Sequence, residues 1–276
     1  ISNLQIRNLY VQYNTWYNFF IGSDNMMIDT HCHLDIEEYK DVELVINNMG
    51  NNIMIASGYN TKTNKRVIEL IEKYNNIYGT IGIHPEENED MNNEAIKYIE
   101  ENINNPKIVA IGEIGLDYHR DEFKKDLQKE YFIKQIMLAN KYNKPIVVHS
   151  RDSQKDTYDI LKEYKKDNKI VLHCYSYSKE SALEFKKLGA KFGIGGVLTF
   201  KNGVKLKEVV NCLELEDLLL ETDSPYLAPV PFRGTENQPK NILLVAEEIA
   251  KIKNIDLEKV LEKTTKNAIL EFDLHI

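Results

Sequence analysis

Met27-Ile28-Asp29-Thr30-His31-Cys32-His33-Leu34-Asp35 reads as a short apolar strand that ends in two histidines one residue apart. Side chains alternate faces along a strand, so His31 and His33 project to the same side with their Cα atoms about 7 Å apart. One cation can be gripped by both. Cys32 between them then points the other way, into the wall of the sheet that this strand joins. Taken alone, His-x-His has a plainer reading as two hydrogen-bonded histidines at a strand edge. The rest of the chain decides between the two.

From Met27 onward, strand-like runs alternate with segments of helical period. The strands expected are 27–33, 53–58, 78–84, 108–115, 146–149, 170–174, 191–195 and 218–222. The helices expected between them are 37–49, 62–74, 92–101, 123–141, 153–165, 179–188 and 204–212. Continuous apolar runs joined through helices are the mark of parallel strands buried on both faces. Eight such units in succession make a closed (β/α)8 barrel the economical α/β architecture. Gly189 is placed as the residue that ends a helix and Ser153 as one that starts a helix. Two further helices, near 241–253 and 256–270, extend past the last strand and are expected to cover the barrel. Residues 26–276 therefore read as one domain. Met26 or Met27 reads as its natural start, with Ile1 to Asn25 an added extension; the competing reading is a real appendage that packs its aromatics on the barrel or on a partner.

Length and composition agree with this. The 276 residues fit a single α/β barrel, and 42% hydrophobic with 28% charged residues is ordinary for a folded globular chain. A net charge of −8 excludes a protein that coats nucleic acid through bulk electrostatics, though bound divalent ions add positive charge the count does not see. Cys32, Cys174 and Cys212 are an odd number without Cys-x-x-Cys spacing, read as reduced thiols in a cytoplasmic protein. No apolar run approaches the roughly 18 residues of a membrane span. A monomer is the default expectation.

The residues at the strand ends carry the chemistry. The first strand ends at His31 and His33, the third at His84, the fourth at Glu113, the fifth at His149, the sixth at His173 and the eighth at Asp223. In a parallel barrel all carboxyl ends open on one face, so these side chains converge. Imidazole nitrogen and carboxylate oxygen are ligands for zinc, manganese and related ions. His31 and His33 with Asp223 could hold one ion and His149 with His173 another, with Glu113 as the bridge. Each has an alternative: His149 and His173 as core histidines bonded to backbone, Glu113 as a salt-bridged acid, Asp223 as the start of the Asp-Ser-Pro turn. Five of the seven histidines of the chain nevertheless fall at strand ends; His119 and His275 do not, and read as structural.

Six ordered motifs add a resemblance. His31-Cys-His33-Leu-Asp35, Gly82-Ile-His84-Pro85, Gly112-Glu113-Ile-Gly-Leu-Asp117-Tyr118, His149-Ser-Arg151-Asp152, His173-Cys-Tyr-Ser176 and Glu221-Thr-Asp223-Ser-Pro-Tyr-Leu-Ala-Pro229 are similar to the signatures of the TatD family of metal-dependent deoxyribonucleases. The resemblance implies a TIM barrel of the metal-dependent hydrolase type that cleaves DNA phosphodiester bonds, as an exonuclease, with two divalent ions (Zn, Mn or Mg). It implies His31, His33, Glu113 and Asp223 at one metal, and Glu113, His149 and His173 at the other. His84 resembles the family's substrate-side histidine. Two positions depart from the family pattern. Thr235 stands where the loop Arg233-Gly-Thr235-Glu-Asn237-Gln-Pro239 usually has lysine, and Tyr177 stands where a glycine usually follows the sixth strand.

The expected mechanism is a water activated between two metals, with Asp223 as ligand and general base. Arg233, Arg151, Asn237 and His84 are the expected substrate contacts, with an Arg151–Asp152 ion pair as the alternative for Arg151. Cys32 and Cys174 are expected to pack in the barrel wall, and Asp35 and Asp117 to cap helices or orient ligands. Two rivals stand beside this reading. One is a hydrolase of a small amide, lactone or phosphoester on the same barrel. The other is a non-catalytic, metal-stabilised barrel that binds nucleic acid.

Overall fold

The computed structural model describes residues 13, 26–34, 37, 39–120 and 124–276. Asp35, Phe123 and all of the first 25 residues except Tyr13 lie outside the described residues. Eight parallel strands follow in chain order: β1 Ile28–Cys32, β2 Ile53–Ser57, β3 Ile77–Ile81, β4 Ile108–Asp117, β5 Ile146–Arg151, β6 Ile170–Leu172, β7 Ala190–Ile194 and β8 Leu218–Leu220. Helices α1 Val42–Asn47, α2 Thr61–Lys73, α3 Asn93–Asn102, α4 Lys125–Tyr142, α5 Gln154–Tyr164, α6 Lys179–Lys187 and α7 Val204–Cys212 alternate with them, and α8 Ile242–Lys253 and α9 Leu257–Phe272 follow β8. The sheet closes where Cys32 bridges Ser224, with His33 N donating to Ser224 O (2.8 Å) and Asp223 N to His31 O (2.9 Å). This is the expected TIM barrel with extra C-terminal helices. No helix of the described residues is long and apolar enough to cross a membrane.

Two buried clusters show how the strands divide their faces. Met54, Ala56, Ile108 and Ile111 pack outward with Val67, Leu70 and Ile99 of the helices. Ile28, Ile53, Ile55, Val109, Val147, Val171 and Leu219 form a second cluster inside the barrel, which Phe272 and Ala268 of α9 close from below. Residues two apart share a face, so the interior continues upward through Ser57, His149, His173 and Glu221. The amino end of the barrel is thus apolar and its carboxyl end polar.

Boundaries differ from expectation in ways that matter for the site. Strands β3, β6 and β8 end at Ile81, Leu172 and Leu220, so His84, His173 and Asp223 sit on the first residues of the loops rather than on the strands. β4 and β5 run further, through Asp117 and Arg151. The first helix begins only at Val42, capped by the Asp41 side chain on Leu44 N. Ser153 does start α5, yet its hydroxyl donates to Leu116 O (2.9 Å) instead of capping the helix. Gly189 follows α6 at φ 83°, the left-handed region that glycine enters without penalty. Tyr13 is buried, donates to Lys240 O (2.9 Å) and meets Phe232 edge-on at 5.3 Å.

Candidate metal centre at the carboxyl ends of the strands

Two register irregularities aim the candidate ligands on β1 and β4. Between β1 and β2 the pairs Asp29↔Met54 and Cys32↔Ala56 set three steps against two, and between β4 and β5 Ile111↔Ile146 and Ile114↔Val148 do the same. An extra residue in one strand turns the following side chains to the other face and is frequent beside active sites. His31 and His33 thereby face the barrel mouth although Ile28 faces the apolar interior. Glu113 is carried inward on β4 in the same way. Cys32 points outward into the helix-side core, as expected, with its thiol on Ile55 O (3.6 Å).

Glu113 is the centre of the cluster. Its Oε2 lies 3.4 Å from His31 Nε2 and 3.8 Å from His33 Nε2. Its Oε1 lies 2.7 Å from His173 Nε2, 2.9 Å from His149 Nδ1 and 3.4 Å from His84 Nε2. Asp223 Oδ1 completes the first side at 3.3 Å from His33 Nε2 and 3.7 Å from His31 Nε2. The rings of His31 and His173 stack at 4.1 Å, which joins the two sides.

The tautomers follow from the partners. His33 Nδ1 meets the Ser57 carbonyl at 3.0 Å; a carbonyl only accepts, so Nδ1 carries a hydrogen and the lone pair of the neutral ring is on Nε2, aimed at Asp223. His31 Nε2 is buried without a hydrogen-bond partner while its Nδ1 sits 3.1 Å from Ser57 Oγ. His149 Nε2 is held by Asp117 Oδ2 at 2.8 Å, leaving Nδ1 toward Glu113. His84 is turned the other way. Its Nδ1 accepts the Glu86 N–H (3.1 Å), so the neutral ring presents an N–H toward Glu113 and is a donor, not a ligand.

These donors fit divalent cations. His31, His33 and Asp223 form one set whose ligand atoms lie within 4.8 Å of one another, and Glu113 forms another with His31 and His173. Imidazoles and carboxylates with metal bonds of about 2.1 Å suit such spacing after small side-chain shifts. The orphaned His31 Nε2 is the clearest sign, because a buried imidazole nitrogen without a partner is costly unless something binds it. Protonation agrees. Burial opposes ionisation of Glu113, but His173, His84 and the hydrogen bonds from His149 and His173 outweigh it and hold the carboxyl well below its usual range. Partial burial also opposes ionisation of Asp223, yet His33, His173 and His31 keep it ionised. Burial, with His173 nearby, lowers His31 to about 4. His33 and His149 are raised to about 9 against burial, by Asp223 for the first and by Asp117 and Glu113 for the second.

The remaining expected contacts divide. Arg151 and Arg233 are exposed at the mouth, Arg233 stacked 4.2 Å over the Phe200 ring. Asp152 pairs with His119 (3.0 Å). Asn237 is corrected: it is fully buried, its amide donates to Thr222 O (3.0 Å) and Tyr226 O (2.7 Å), and its oxygen accepts from Gln238 N and Asn241 Nδ2. It builds the loop that carries Asp223 and has no atom to offer a substrate. Cys174 is corrected too. It lies past the end of β6 at φ 45°, half-buried, on a cavity rather than in the barrel wall. Thr235 turns its hydroxyl onto Phe232 O (2.8 Å). Tyr177 reaches across to Ser150 Oγ (2.9 Å) and accepts the Ser153 N–H (3.1 Å), tying the loop after β6 to the one after β5.

Two buried acids carry roles that the sequence reading did not assign. Asp29 accepts from Thr222 Oγ1 (2.5 Å), Thr222 N (3.0 Å) and His31 N (3.3 Å), pinning the His31 backbone to the segment that carries Asp223; burial raises its pKa to about 8 despite these bonds. Glu221 accepts the Cys174 N–H at 2.5 Å, beside His173, and burial with the Asp223 charge keeps it well above its usual pKa. Acids inside the apolar runs Met27–Thr30 and Leu218–Thr222 are the signal that could have found them, since a buried carboxyl needs partners.

The comparisons with known proteins agree with this geometry. The model of the TatD related DNase family matches residues 28–273. The "uncharacterized metal-dependent hydrolase YabD" of Bacillus subtilis strain 168 is 43% identical over 248 residues, 88% of this chain and 97% of that protein. Among solved structures, the TatD homologue YJJV of Escherichia coli K12 superposes with a TM-score of 0.85 at 28% identity, covering 90% of this chain and 98% of that one. A TatD family hydrolase from Entamoeba histolytica gives 0.80 at 26% identity, with 90% and 98% covered. With a family match across nearly the whole described barrel, the chain belongs to the TatD-related DNase family of metal-dependent hydrolases.

Proposed function

We propose that this hydrolase cleaves DNA phosphodiester bonds, as an exonuclease, with two divalent cations held by its histidines and carboxylates. The observation that carries the reading is the placement of Glu113, whose two oxygens face different sets of imidazoles, Oε2 toward His31 and His33, Oε1 toward His149 and His173. One set with Asp223 and a second with His149 and His173 give two cation positions with a shared carboxylate. An imidazole-rich set favours zinc or manganese, with magnesium or manganese supporting turnover. Divalent cations held there would supply Lewis acidity and would lower the pKa of the attacking water.

The residues of the chain do the rest. Asp223 is ionised, and 16% of its side chain is exposed against 5% for Glu113, so it is the carboxylate that can reach a water and take its proton. The Nε2–H of His84 is placed to donate to a phosphate or leaving oxygen. Arg151 and Arg233 offer planar donors to flanking phosphates, which a chain of net charge −8 needs near its mouth. Asp117 holds His149 in one ring orientation, as carboxylates behind ligating histidines do.

Labelled single-stranded and duplex oligonucleotides, a p-nitrophenyl phosphodiester, a lactone and a cyclic amide should be incubated in parallel with added magnesium, manganese or zinc. Oligonucleotide cleavage is the expected result, and Asp223→Asn should slow it by about 10²–10⁴-fold with metal still bound. Turnover of the lactone or amide with oligonucleotides left intact would overturn the DNA reading. So would full activity in Asp223→Asn for its role as base.

A further inference from the structure

Beside the metal centre the loops after β6 and β7 and the first turn of α7 line a cavity of about 430 Å³ that the proposed hydrolysis does not use. Its floor is the buried Tyr175, Gly195, Gly203 and Leu206, and its rim is the exposed Ser176, Asn202, Val204 and Lys205. We propose that this cavity is the subsite for the nucleobase next to the scissile phosphate. The inference rests on the DNA reading of the site and adds which part of the nucleotide is recognised, and where.

Position is the first argument. The cavity begins at Cys174, the residue after His173, and the Cys174 backbone is fixed by Glu221, two residues before Asp223. A nucleotide whose phosphate lies at Glu113 has its base within reach of this wall. Chemistry is the second. A floor of leucine, glycines and the Tyr175 ring suits the one part of a nucleotide with an apolar face, the base; Asn202 and Ser176 at the rim each offer both donor and acceptor to a base edge. Lys205 adds a cation at the same rim for the phosphate beyond. Rigidity is the third. Tyr175 donates to Ser178 O (3.0 Å) and packs edge-on against Phe192 at 5.0 Å, so the floor is formed before any ligand enters. The volume lies in the ordinary range for a small-ligand site.

The test uses the metal-loaded protein and labelled oligonucleotides that carry a single abasic residue at the terminal or penultimate position of either end. With wild type, one abasic position should raise KM about tenfold, the scale of one lost base contact. Val204 is an exposed rim residue outside the metal centre, and Val204→Trp should plug the opening. That variant should raise KM on the intact oligonucleotide to the abasic value and leave KM on the abasic one unchanged, with Val204→Ser behaving as wild type. Equal KM for intact and abasic substrates, or a Val204→Trp enzyme that still distinguishes them, would overturn the subsite. Failure of wild type to cleave either oligonucleotide with any of the metals would instead overturn the DNA reading on which it rests.

Discussion

The two ends of the barrel interior are built by the same strands on the same face and have opposite chemistry. Val147, Val171 and Leu219 lie in the apolar lower cluster, and two residues further along the chain, at or just past the ends of those strands, stand His149, His173 and Glu221. At the lower end, burial of aliphatic side chains and Phe272 is favourable without conditions. At the upper end the buried groups are carboxylates and imidazoles, each of which costs free energy unless another pairs with it. The molecule therefore separates stability from chemistry over about 7 Å of strand. A substitution at one end should leave the other largely as it was.

The strongest way to break that separation is a pair of variants. Glu113→Gln keeps the side-chain shape and removes the charge both histidine sets face. Hydrolysis should fall about 10³-fold or more, about 4 kcal/mol of barrier, with metal content reduced. Phe272→Ala opens a cavity under the barrel and should lower unfolding free energy by about 3–5 kcal/mol, while the fully folded fraction binds metal and turns over as wild type. Urea unfolding and metal analysis of both proteins check this. A Phe272→Ala protein that stays as stable as wild type but loses metal would show that the two ends are not separable.

A smaller effect sharpens the upper end. His33 and His149 are raised to about 9 in the metal-free protein, so at neutral pH they hold protons that a cation must displace. Metal affinity should therefore rise with pH, by about tenfold per unit for each proton released, up to about pH 9. Stability of the metal-free protein should move the other way. A histidine whose folded pKa exceeds its ordinary 6.5 stabilises fully below 6.5, and that contribution is lost as pH rises through 9. Competition titrations and thermal melts from pH 6 to 9 should show these opposite slopes. Flat metal affinity would mean that neither ring is protonated before metal binds.

The sequence carried the barrel and most of its rim, and the reasons are physical. Strands buried on both faces write long apolar runs, and parallel order forces helices between them, so both signals are one-dimensional. The histidines of the candidate metal centre sit where those runs stop. Less legible was the aim of the side chains. An extra residue at Asp29–Cys32 and another at Ile111–Ile114 turn His31, His33 and Glu113 inward, and a register shift leaves no mark in composition or period. Asn237 was misread for a related reason: an amide in a motif-rich loop looks like a substrate contact until its hydrogen bonds are seen to be saturated within the loop. Asp29 and Glu221 were passed over because an acid inside an apolar strand has meaning only once its partners across the barrel are known.

The least effect is expected at the rim, at Tyr177. Tyr177 accepts the Ser153 N–H and contacts Ser150, the residue after His149, so it braces the end of β5 from which His149 and Arg151 project. His149 itself is gripped independently, by Asp117 at 2.8 Å and Glu113 at 2.9 Å. Tyr177→Phe keeps the ring, and its edge contact with Tyr175, but leaves the Ser153 N–H without that acceptor; the cost should be about 1 kcal/mol of stability. Because the carboxylates still hold the imidazole, kcat should change by no more than about threefold, about 0.6 kcal/mol of barrier, with KM rising if Arg151 loses its place. A loss of kcat as large as that of Asp223→Asn would mean that the tyrosine, rather than the two carboxylates, sets the position of His149.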